Sequence, residues 1–432
     1  MNGSLLTSRL RDLVGGAARD TAIRVERAVS VAPRSLAPVT EVLGGDVHEG
    51  QGGCCVVVDR WYTAETRHGD LTIGSCADMA RRYMKDLSVL DAARRIDIDR
   101  VSDESAIHFF DLETTGLAGG AGTYAFLVGF GAFVDRSFFT RQLFLTGYGA
   151  EPPLLETVAK WITRAGVLVS FNGRTFDAPI LETRYLFHRM AVPFAEIPHI
   201  DMLPASRRLW SREEGCSLRV LEDAIAGVTR RGDVPGAEIP ARYVHYARTG
   251  DARLLVPVFE HNRLDLLSLA VLTSIAVRMV GEGVEATRDA RECLGLGRLY
   301  ERVGLDERAT TCYARAASDE TQNSDGVRIE ALRWLARRLR RESRHDDAAE
   351  AWQQILALER ADSPVMREAV HGLAVHHEHR SRDLRAAHRF ALRAVAAAAN
   401  ETHRAQARHR LARLDRKLGV ENVERARALF EP

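Results

Sequence analysis

Short apolar runs and longer amphipathic segments alternate along the chain from residue 107 onward. Four runs have the composition of β-strands: IHFFDLE, YAFLVGFGAF, FFTRQLFL and VLVSFN. The segment PLLETVAKWI, before the last of these runs, has apolar residues at helical spacing. Three strands at hairpin spacing, followed by a helix and a further strand, predict an α/β fold in which helices flank a mixed sheet.

Helical periodicity then dominates, from PILETRYLFHRM through SLRVLEDAIAG to the long run LLVPVFEHNRLDLLSLAVLTSIAVRMV. The last 150 residues also repeat, with small residues 39, 38 and 38 positions apart at Gly297, Ala336, Ala374 and Ala412. Further alanines and then aromatic residues follow the first three at fixed distances: Ala309, Ala348, Ala386, Tyr313, Trp352 and Phe390. This register predicts stacked helix pairs in an all-α region that resembles tetratricopeptide repeats, at a period longer than the usual length of about 34 residues.

These patterns predict three parts in the chain. Residues 1–100 are an N-terminal extension of unknown role, although CCVVVDRWY within it is a candidate strand. Residues 101–280 make up the α/β domain, and residues 287–432 make up the helical repeats. A chain of 432 residues is long enough for two or three hydrophobic cores, which agrees with this division.

Composition narrows the classes of partner. The net charge is only +1, so any surface that attracts nucleic acid has to be local. We find no apolar stretch of the roughly 18 residues that a membrane span needs, and no signal-peptide pattern at the N-terminus, so we expect a cytoplasmic protein without a membrane partner. The six cysteines lack a paired C-x-x-C spacing, which argues against a disulfide framework and a structural zinc site.

The candidate chemistry begins in FFDLETTGL, where Asp111 and Glu113 are two positions apart. Side chains two apart on a strand point the same way, so both carboxylates lie on one face at the end of the strand. Two such charges repel each other, and a cation between them relieves the repulsion. Oxygen ligands without a thiolate or imidazole pair favour Mg²⁺ or Mn²⁺ over zinc.

Further acids follow along the chain. FNGRTFDAP, at the end of a later strand, offers Asn172 and Asp177, although Asp177 could instead cap the helix that follows. In EHNRLDLLSL, His261 and Asp265 are four positions apart and therefore share one face of a helix. Taken alone, this pair is also typical of an exposed polar surface on an amphipathic helix.

The order of these acids resembles that of the DEDD exonuclease superfamily, which has the ribonuclease H-like fold. FFDLETTGLAGGAGTYAFLVGFGAF, LVSFNGRTFDAPILETRY, HIDMLPASRRLW and EHNRLDLLSLA together look like a bacterial family of ribonuclease H-like proteins, many of which carry C-terminal helical repeats. The resemblance implies nucleic acid as substrate and two divalent cations, Mg²⁺ or Mn²⁺. It also implies metal ligands at Asp111, Glu113, Asp177 and Asp265.

Other site residues follow from the same resemblance. Thr114, Thr115 and Gly116 are expected to hold the terminal nucleotide, although a tight turn explains the glycine about as well. His261 occupies a spacing at which related exonucleases carry tyrosine, so it is either the general base or a hydrogen-bonding partner of Asp265. Asn172 and Asp201 are further candidates for contacts around the substrate, with Asp201 as an outer-shell acid.

Three functions remain open at this point. The leading hypothesis is a metal-dependent 3′→5′ exonuclease that acts on DNA or RNA. The alternatives are a structure-specific endonuclease, because this fold supports both modes of cutting, and a scaffold that binds nucleic acid without cutting it. The concave surface of the repeats is expected to bind a protein partner, or to extend the nuclease channel as a basic groove. Arg174, Arg184, Arg207 and Arg208 are candidates for phosphate contacts.

Overall fold

A mixed sheet of seven strands lies at the centre of the fold, as the strand pattern predicts. The computed structural model describes residues 37–50, 52–91, 103, 106–116, 122–194, 197–210, 215–318, 325–358 and 363–419. Its strands are β1 (Asp46–Gly50), β2 (Gly53–Tyr62), β3 (Arg67–His68), β4 (Leu71–Thr72), β5 (Ile107–Thr114), β6 (Ala125–Val134), β7 (Ser137–Leu145), β8 (Val167–Ser170) and β9 (His199–Asp201). The main sheet has the order β1-β2-β7-β6-β5-β8-β9, and β3 pairs with β4 separately.

The main sheet contains both parallel and antiparallel strand pairs. Strands β5, β8 and β9 run parallel to one another, whereas every other neighbouring pair in the main sheet is antiparallel. The candidate strand CCVVVDRWY is confirmed as part of β2, which pairs with β7 from Cys55 to Tyr62. The sheet therefore extends across the predicted boundary at residue 101. Residues 1–36 of the predicted extension lie outside the described part of the chain.

Helices surround the sheet. In chain order they are α1 (Ala37–Leu43), α2 (Ile73–Arg82), α3 (Leu87–Leu90), α4 (Glu151–Ile162), α5 (Asp177–Phe187), α6 (Met202–Trp210), α7 (Leu218–Ala226), α8 (Ile239–Thr249) and α9 (Val256–Glu282). Helix α7 begins where Ser217 accepts a hydrogen bond from the backbone N–H of Val220, and it ends at Gly227 in the left-handed conformation.

Helix α9 is the central helix of the molecule and packs against β5, β6 and β7 on one side and α2 and α7 on others. The stretch Arg253–Ala286, which contains α9, is long and apolar enough by length and composition to cross a membrane, with a mean hydropathy of 1.7 in its best window. The expectation that no such stretch exists was therefore wrong. In the structure 78% of that window is buried within the protein, which is typical of a core helix.

A second region, made only of helices, follows the sheet. Its helices are α10 (Ala290–Val303), α11 (Asp306–Ser318), α12 (Asp325–Arg341), α13 (His345–Leu358), α14 (Pro364–His379), α15 (Leu384–Ala396) and α16 (Glu401–Leu418). Each helix packs mainly on its neighbours in sequence. Ala336 and Ala374 are fully buried, whereas Ala412 is exposed and Leu414 is the buried residue of α16. The small-residue register thus ends before the last helix.

The helical region packs directly on the sheet region. Gly295 of α10 meets α6, where an added Cβ would lie 2.0 Å from the carbonyl oxygen of Arg208. One hydrophobic core runs from Ile73 through the sheet and α9 to Leu373 in α14. Consistent with this shared core, residues 38–432 group as one compact unit.

Candidate active site

Strand β5 places Asp111 and Glu113 near the centre of the sheet. Asp111 lies opposite Gly129 of β6 in the strand register. A Cβ on Gly129 would lie 2.2 Å from the Oδ1 atom of Asn262, so only glycine leaves room for this side chain of α9. The register between β5 and β6 shifts between Glu113 and Thr114, where the strand ends.

A chain of hydrogen bonds fixes the Asp111 carboxylate. The buried Asn262 donates from Nδ2 to Oδ2 of Asp111 at 2.9 Å. Gln142 of β7 donates from Nε2 to Oδ1 of Asn262 at 2.9 Å and to the carbonyl oxygen of Phe259 at 2.8 Å. Because both amides are buried and Asn262 is hydrogen-bonded at both its oxygen and its nitrogen, the Asp111 carboxylate is held in one orientation. The sequence patterns indicated neither Gln142 nor Asn262.

Asp177 is the first residue of α5, and its side chain makes no capping hydrogen bond. The residue before it, Phe176, occupies the N-cap position, so the alternative that Asp177 only caps the helix is not supported. Gly173 packs closely beside it, since an added Cβ would lie 2.4 Å from Ser170 Oγ and 2.8 Å from Asp177 Oδ2. The turn after β8 therefore delivers Asp177 as a buried acid.

Asp201 and Asn172 shape this turn. Oδ1 of Asp201 accepts hydrogen bonds from the backbone N–H groups of Asn172, at 2.7 Å, and Leu203, at 3.0 Å. Asn172 adopts the left-handed conformation, with φ of 67°, and its Oδ1 accepts from the Thr175 hydroxyl at 2.9 Å. Asp201 thus connects the turn after β8 to the first turn of α6, and Asn172 holds that turn in shape through Thr175. Their predicted contacts with substrate stay predictions.

Asp265 of α9 is held by Arg230, from the loop between α7 and α8. Nη2 of Arg230 donates to Oδ1 of Asp265 at 2.5 Å. The Arg230 side chain is 3% exposed and also forms ion pairs with Glu222, at 2.6 Å, and Asp233, at 3.2 Å. One buried guanidinium therefore serves three carboxylates, an arrangement that its planar set of donors allows.

His261 lies beside Asp265 but is anchored elsewhere. Its Nδ1 lies 2.8 Å from Oδ1 of Asp233, and its Nε2 lies 3.5 Å from Oδ2 of Asp265. A carboxylate at Nδ1 stabilises the tautomer with the proton on that nitrogen. Nε2 then carries the lone pair and faces Asp265. The structure thus places His261 beside Asp265, and its role as general base stays a prediction.

The four predicted acids act on one another electrostatically. Burial, followed by repulsion from Asp265, Glu113 and Asp177, raises the pKa of Asp111 well above its ordinary value. Burial and repulsion from Asp265, Asp177 and then Asp233 raise the pKa of Glu113 in the same way. Burial, with repulsion from Asp201, raises the pKa of Asp177 to about 7. Acids from β5, α5 and α9 therefore converge on one region.

The donor set fits hard divalent cations. Glu113 and Asp177 accept no side-chain or backbone hydrogen bond from other described residues, so their oxygens are available as ligands. A cation would also relieve the repulsion that raises their pKa values. Within the described ranges, however, no three His, Cys, Asp or Glu side chains lie close enough together to hold a metal ion as they stand. Cation binding at these acids would therefore require side-chain movements, and Asp265 would have to share its carboxylate with Arg230.

The turn after β5 is only partly described, because residues 117–121 lie outside the described ranges. Thr114 donates its hydroxyl to the carbonyl oxygen of Gly116 at 2.9 Å, and Thr115 Oγ1 accepts from the backbone N–H of Tyr124 at 3.0 Å. Gly116 does not have a positive φ, and an added Cβ there would meet no described atom within 4 Å. Neither turn geometry nor packing against described atoms requires glycine at this position.

Comparisons with known proteins agree with this geometry. Residues 108–277 match the family RNase_H_2, of the RNase_H superfamily. These residues form a ribonuclease H-like domain. The superfamily consists mostly of nucleases that use divalent cations, so the match supports nuclease-type activity on nucleic acid. The uncharacterized protein YprB of Bacillus subtilis (strain 168) is 28% identical over 320 residues, which cover 73% of this chain and 76% of that relative.

Proposed function

We propose that this chain is a metal-dependent nuclease that removes nucleotides from the 3′ end of DNA or RNA. One observation carries the proposal. Asp111 and Glu113 of β5 have raised pKa values because they are buried and are repelled by Asp177 of α5 and Asp265 of α9, so acids from three elements of the ribonuclease H-like domain meet at one place. Clustered buried acids are costly to keep unless they serve a cation.

The roles of the residues follow from their contacts. The four acids would hold two divalent cations, Mg²⁺ or Mn²⁺, which supply positive charge to polarise a phosphodiester and activate a water molecule. Asn262 keeps the Asp111 carboxylate in orientation. Asp233 holds His261 so that Nε2 can take a proton from the attacking water. Thr114, Thr115 and Gly116 follow Glu113 directly along the chain and would contact the terminal nucleotide.

A second candidate is a scaffold that binds nucleic acid without cutting it. The ion pair between Arg230 and Asp265 favours it, because a guanidinium already neutralises one predicted metal ligand. Arg230 also serves Glu222 and Asp233, so its charge is shared among three carboxylates and does not neutralise Asp111 or Glu113. We therefore prefer the nuclease.

The test is an assay on substrates labelled at the 3′ or the 5′ end. Single- and double-stranded DNA and RNA are incubated with Mn²⁺, Mg²⁺ or a chelator, beside an Asp111→Asn variant. Stepwise shortening from the 3′ end, only with metal and only in the wild type, supports the proposal. Discrete internal cuts indicate an endonuclease, and identical backgrounds in wild type and variant indicate the scaffold.

A further inference from the structure

A cleft of about 830 Å³ lies between the ribonuclease H-like domain and the helical region. Arg207 and Arg208 of α6 form one wall, and Arg298 and Arg302 of α10 form another. Trp334 of α12 also lines it, together with a single acid, Glu301. We call this the arginine cleft. The proposed catalytic residues lie outside it, and two of its arginines, Arg207 and Arg208, are among the phosphate contacts that the sequence predicts.

The arginine cleft carries an excess of positive charge. Glu301 is already engaged by the Tyr313 hydroxyl, at 2.8 Å, and by Arg341. Arg298 pairs with Glu330 at 3.2 Å and Arg302 donates to the carbonyl oxygen of Val89 at 2.8 Å, so the positive charge that the cleft offers to a ligand is that of Arg207 and Arg208. In the described part of the chain no carboxylate lies within ion-pair distance of Arg207 or Arg208, and Arg208 donates only to the carbonyl oxygen of Pro204. A carbonyl bond orients a guanidinium without neutralising it.

Stacking on Trp334 orients Arg298 in the second wall of the arginine cleft. The guanidinium of Arg298 lies over the ring of Trp334, 5.4 Å from its centroid. The ring and the ion pair with Glu330 together fix the position of Arg298 in this wall. The planar fork of arginine matches two oxygens of a phosphate. The cleft is therefore shaped and charged for a phosphate-bearing ligand.

The position of the cleft indicates which ligand carries the phosphates. Helix α6 begins directly after Asp201, the acid whose charge acts on Asp177. Arg207 and Arg208 follow six and seven residues later, about 10 Å along the helix axis. This distance is within reach of a strand whose end lies at the acids. The other arginines that the sequence offered are used internally, since Arg184 is buried against Glu151 and Arg174 donates to the carbonyl oxygen of His199.

We propose that the arginine cleft binds the sugar-phosphate backbone of a single-stranded nucleic acid, a few nucleotides away from the end held at the acids. This inference rests on the proposed function for the direction of the strand, but the binding itself does not require cleavage. Affinity in such a cleft comes mainly from phosphate contacts and falls as salt concentration rises. The helical region thereby contributes to substrate binding instead of only following the nuclease.

The test measures binding of fluorescently labelled 20-nucleotide single strands of DNA and RNA in a chelator, so that no strand is cut. The full chain with Arg207→Gln and Arg208→Gln is compared with wild type across a series of salt concentrations. Loss of two phosphate contacts is expected to raise the Kd by about tenfold and to reduce the slope of log Kd against log salt by about 1.4. The matched control, Arg385→Gln with Arg389→Gln on α15, removes the same charge from two exposed positions outside the cleft and is expected to bind as wild type does.

Several outcomes overturn the inference. If the cleft variant and the control bind strands with the same Kd and salt slope, the arginine cleft does not hold nucleic acid, whether or not the chain cuts. If the cleft variant loses affinity only for a polyglutamate peptide, the ligand is an acidic protein segment. Circular dichroism of each variant checks that folding is intact, and Arg207→Lys with Arg208→Lys should restore most of the binding because it keeps the charge. If the chain binds strands through the arginine cleft but cuts none of the labelled substrates, the proposed function is refuted and this binding site is not.

Discussion

The guanidinium of Arg230 lies 2.5 Å from the carboxylate of Asp265. Asp265 is on α9, the helix that also carries His261. This contact links the loop between α7 and α8, to which the sequence assigned no role in the site, to the acid that the resemblance places last. It also ties Asp265 to Glu222 and Asp233, the other partners of Arg230. The buried guanidinium of Arg230 therefore fixes the position of Asp265 relative to these two carboxylates.

Removing that cation should destabilise the protein. Arg230→Met leaves the Glu222, Asp233 and Asp265 carboxylates without their shared cation, two of them with side chains no more than 2% exposed. We expect the free energy of unfolding to fall by about 3–5 kcal/mol, measured by urea denaturation. The control is Arg219→Met, since Arg219 is 63% exposed and lies 3.9 Å from Asp233. Equal midpoints for the two variants would show that Arg230 does not stabilise this cluster.

The space that Gly129 leaves beside Asp111 should be necessary for the position of Asn262. Gly129→Ala places a methyl group 2.2 Å from Asn262 Oδ1, so Asn262 has to move away from Asp111. Gly131→Ala, on the same strand, instead meets the ring of Phe138 at 2.5 Å. Each substitution should cost about 1–3 kcal/mol of stability through overpacking.

The two glycine variants differ in metal binding. We expect Gly129→Ala to weaken Mn²⁺ binding about tenfold or more, because precise support of a ligand typically changes affinity by that order. Gly131→Ala should retain the wild-type affinity, since it disturbs only the apolar core. Calorimetric titration with Mn²⁺ measures both, and equal affinities in the two variants contradict the role given to Asn262.

The raised pKa of Asp177 predicts a dependence of stability on pH in metal-free protein. Its pKa is about 7 when folded and 3.8 as an ordinary value, so between these pH values the folded state binds a proton that the unfolded state has released. Stability from this group therefore falls as pH rises from about 4 to about 7. Asp177→Asn removes this pH dependence. The free energy of unfolding of the variant, relative to that of wild type, should therefore rise across that window by up to about 4 kcal/mol.

Thermal or urea unfolding in a chelator, at several pH values, checks this expectation. Asp346→Asn serves as control, because the Asp346 side chain is 94% exposed. A constant difference between the Asp177 variant and wild type would mean that Asp177 is not held protonated by its surroundings. Added Mn²⁺ should reduce the difference by stabilising wild type with Asp177 charged, by about 2.7 kcal/mol at a metal concentration 100 times the Kd.

Asp233 should matter for turnover although it is not among the four acids. In Asp233→Asn the amide can donate to Nδ1 of His261, which moves the imidazole proton to Nε2 and removes its lone pair from the site. We expect kcat to fall by about tenfold or more with little change in KM, and His261→Ala to lower kcat by about 10². Asp223→Asn, on the exposed face of α7, is the matched control. A change below about threefold in both His261→Ala and Asp233→Asn would exclude this pair from proton transfer.

The sequence by itself determined the elements and most of the acids. Short apolar runs predicted β5 through β8, because buried strands are short and rich in β-branched or aromatic residues. The repeated small and aromatic residues predicted α10 to α15. Asp111 and Glu113 could be paired from spacing alone, since a strand turns every second side chain to the same face. Strand β9, only three residues long, carried no such pattern.

Only the tertiary structure decided what surrounds the acids. Arg230, Asp233, Gln142 and Asn262 come from segments far from Asp111 along the chain, and no local period relates them to it. Their contacts exist because α9 packs across β5, β6 and β7 and brings its polar face against the end of the sheet. The arginine cleft likewise forms where Gly295 lets α10 approach α6, since packing between distant elements, not local preference, sets which charges meet.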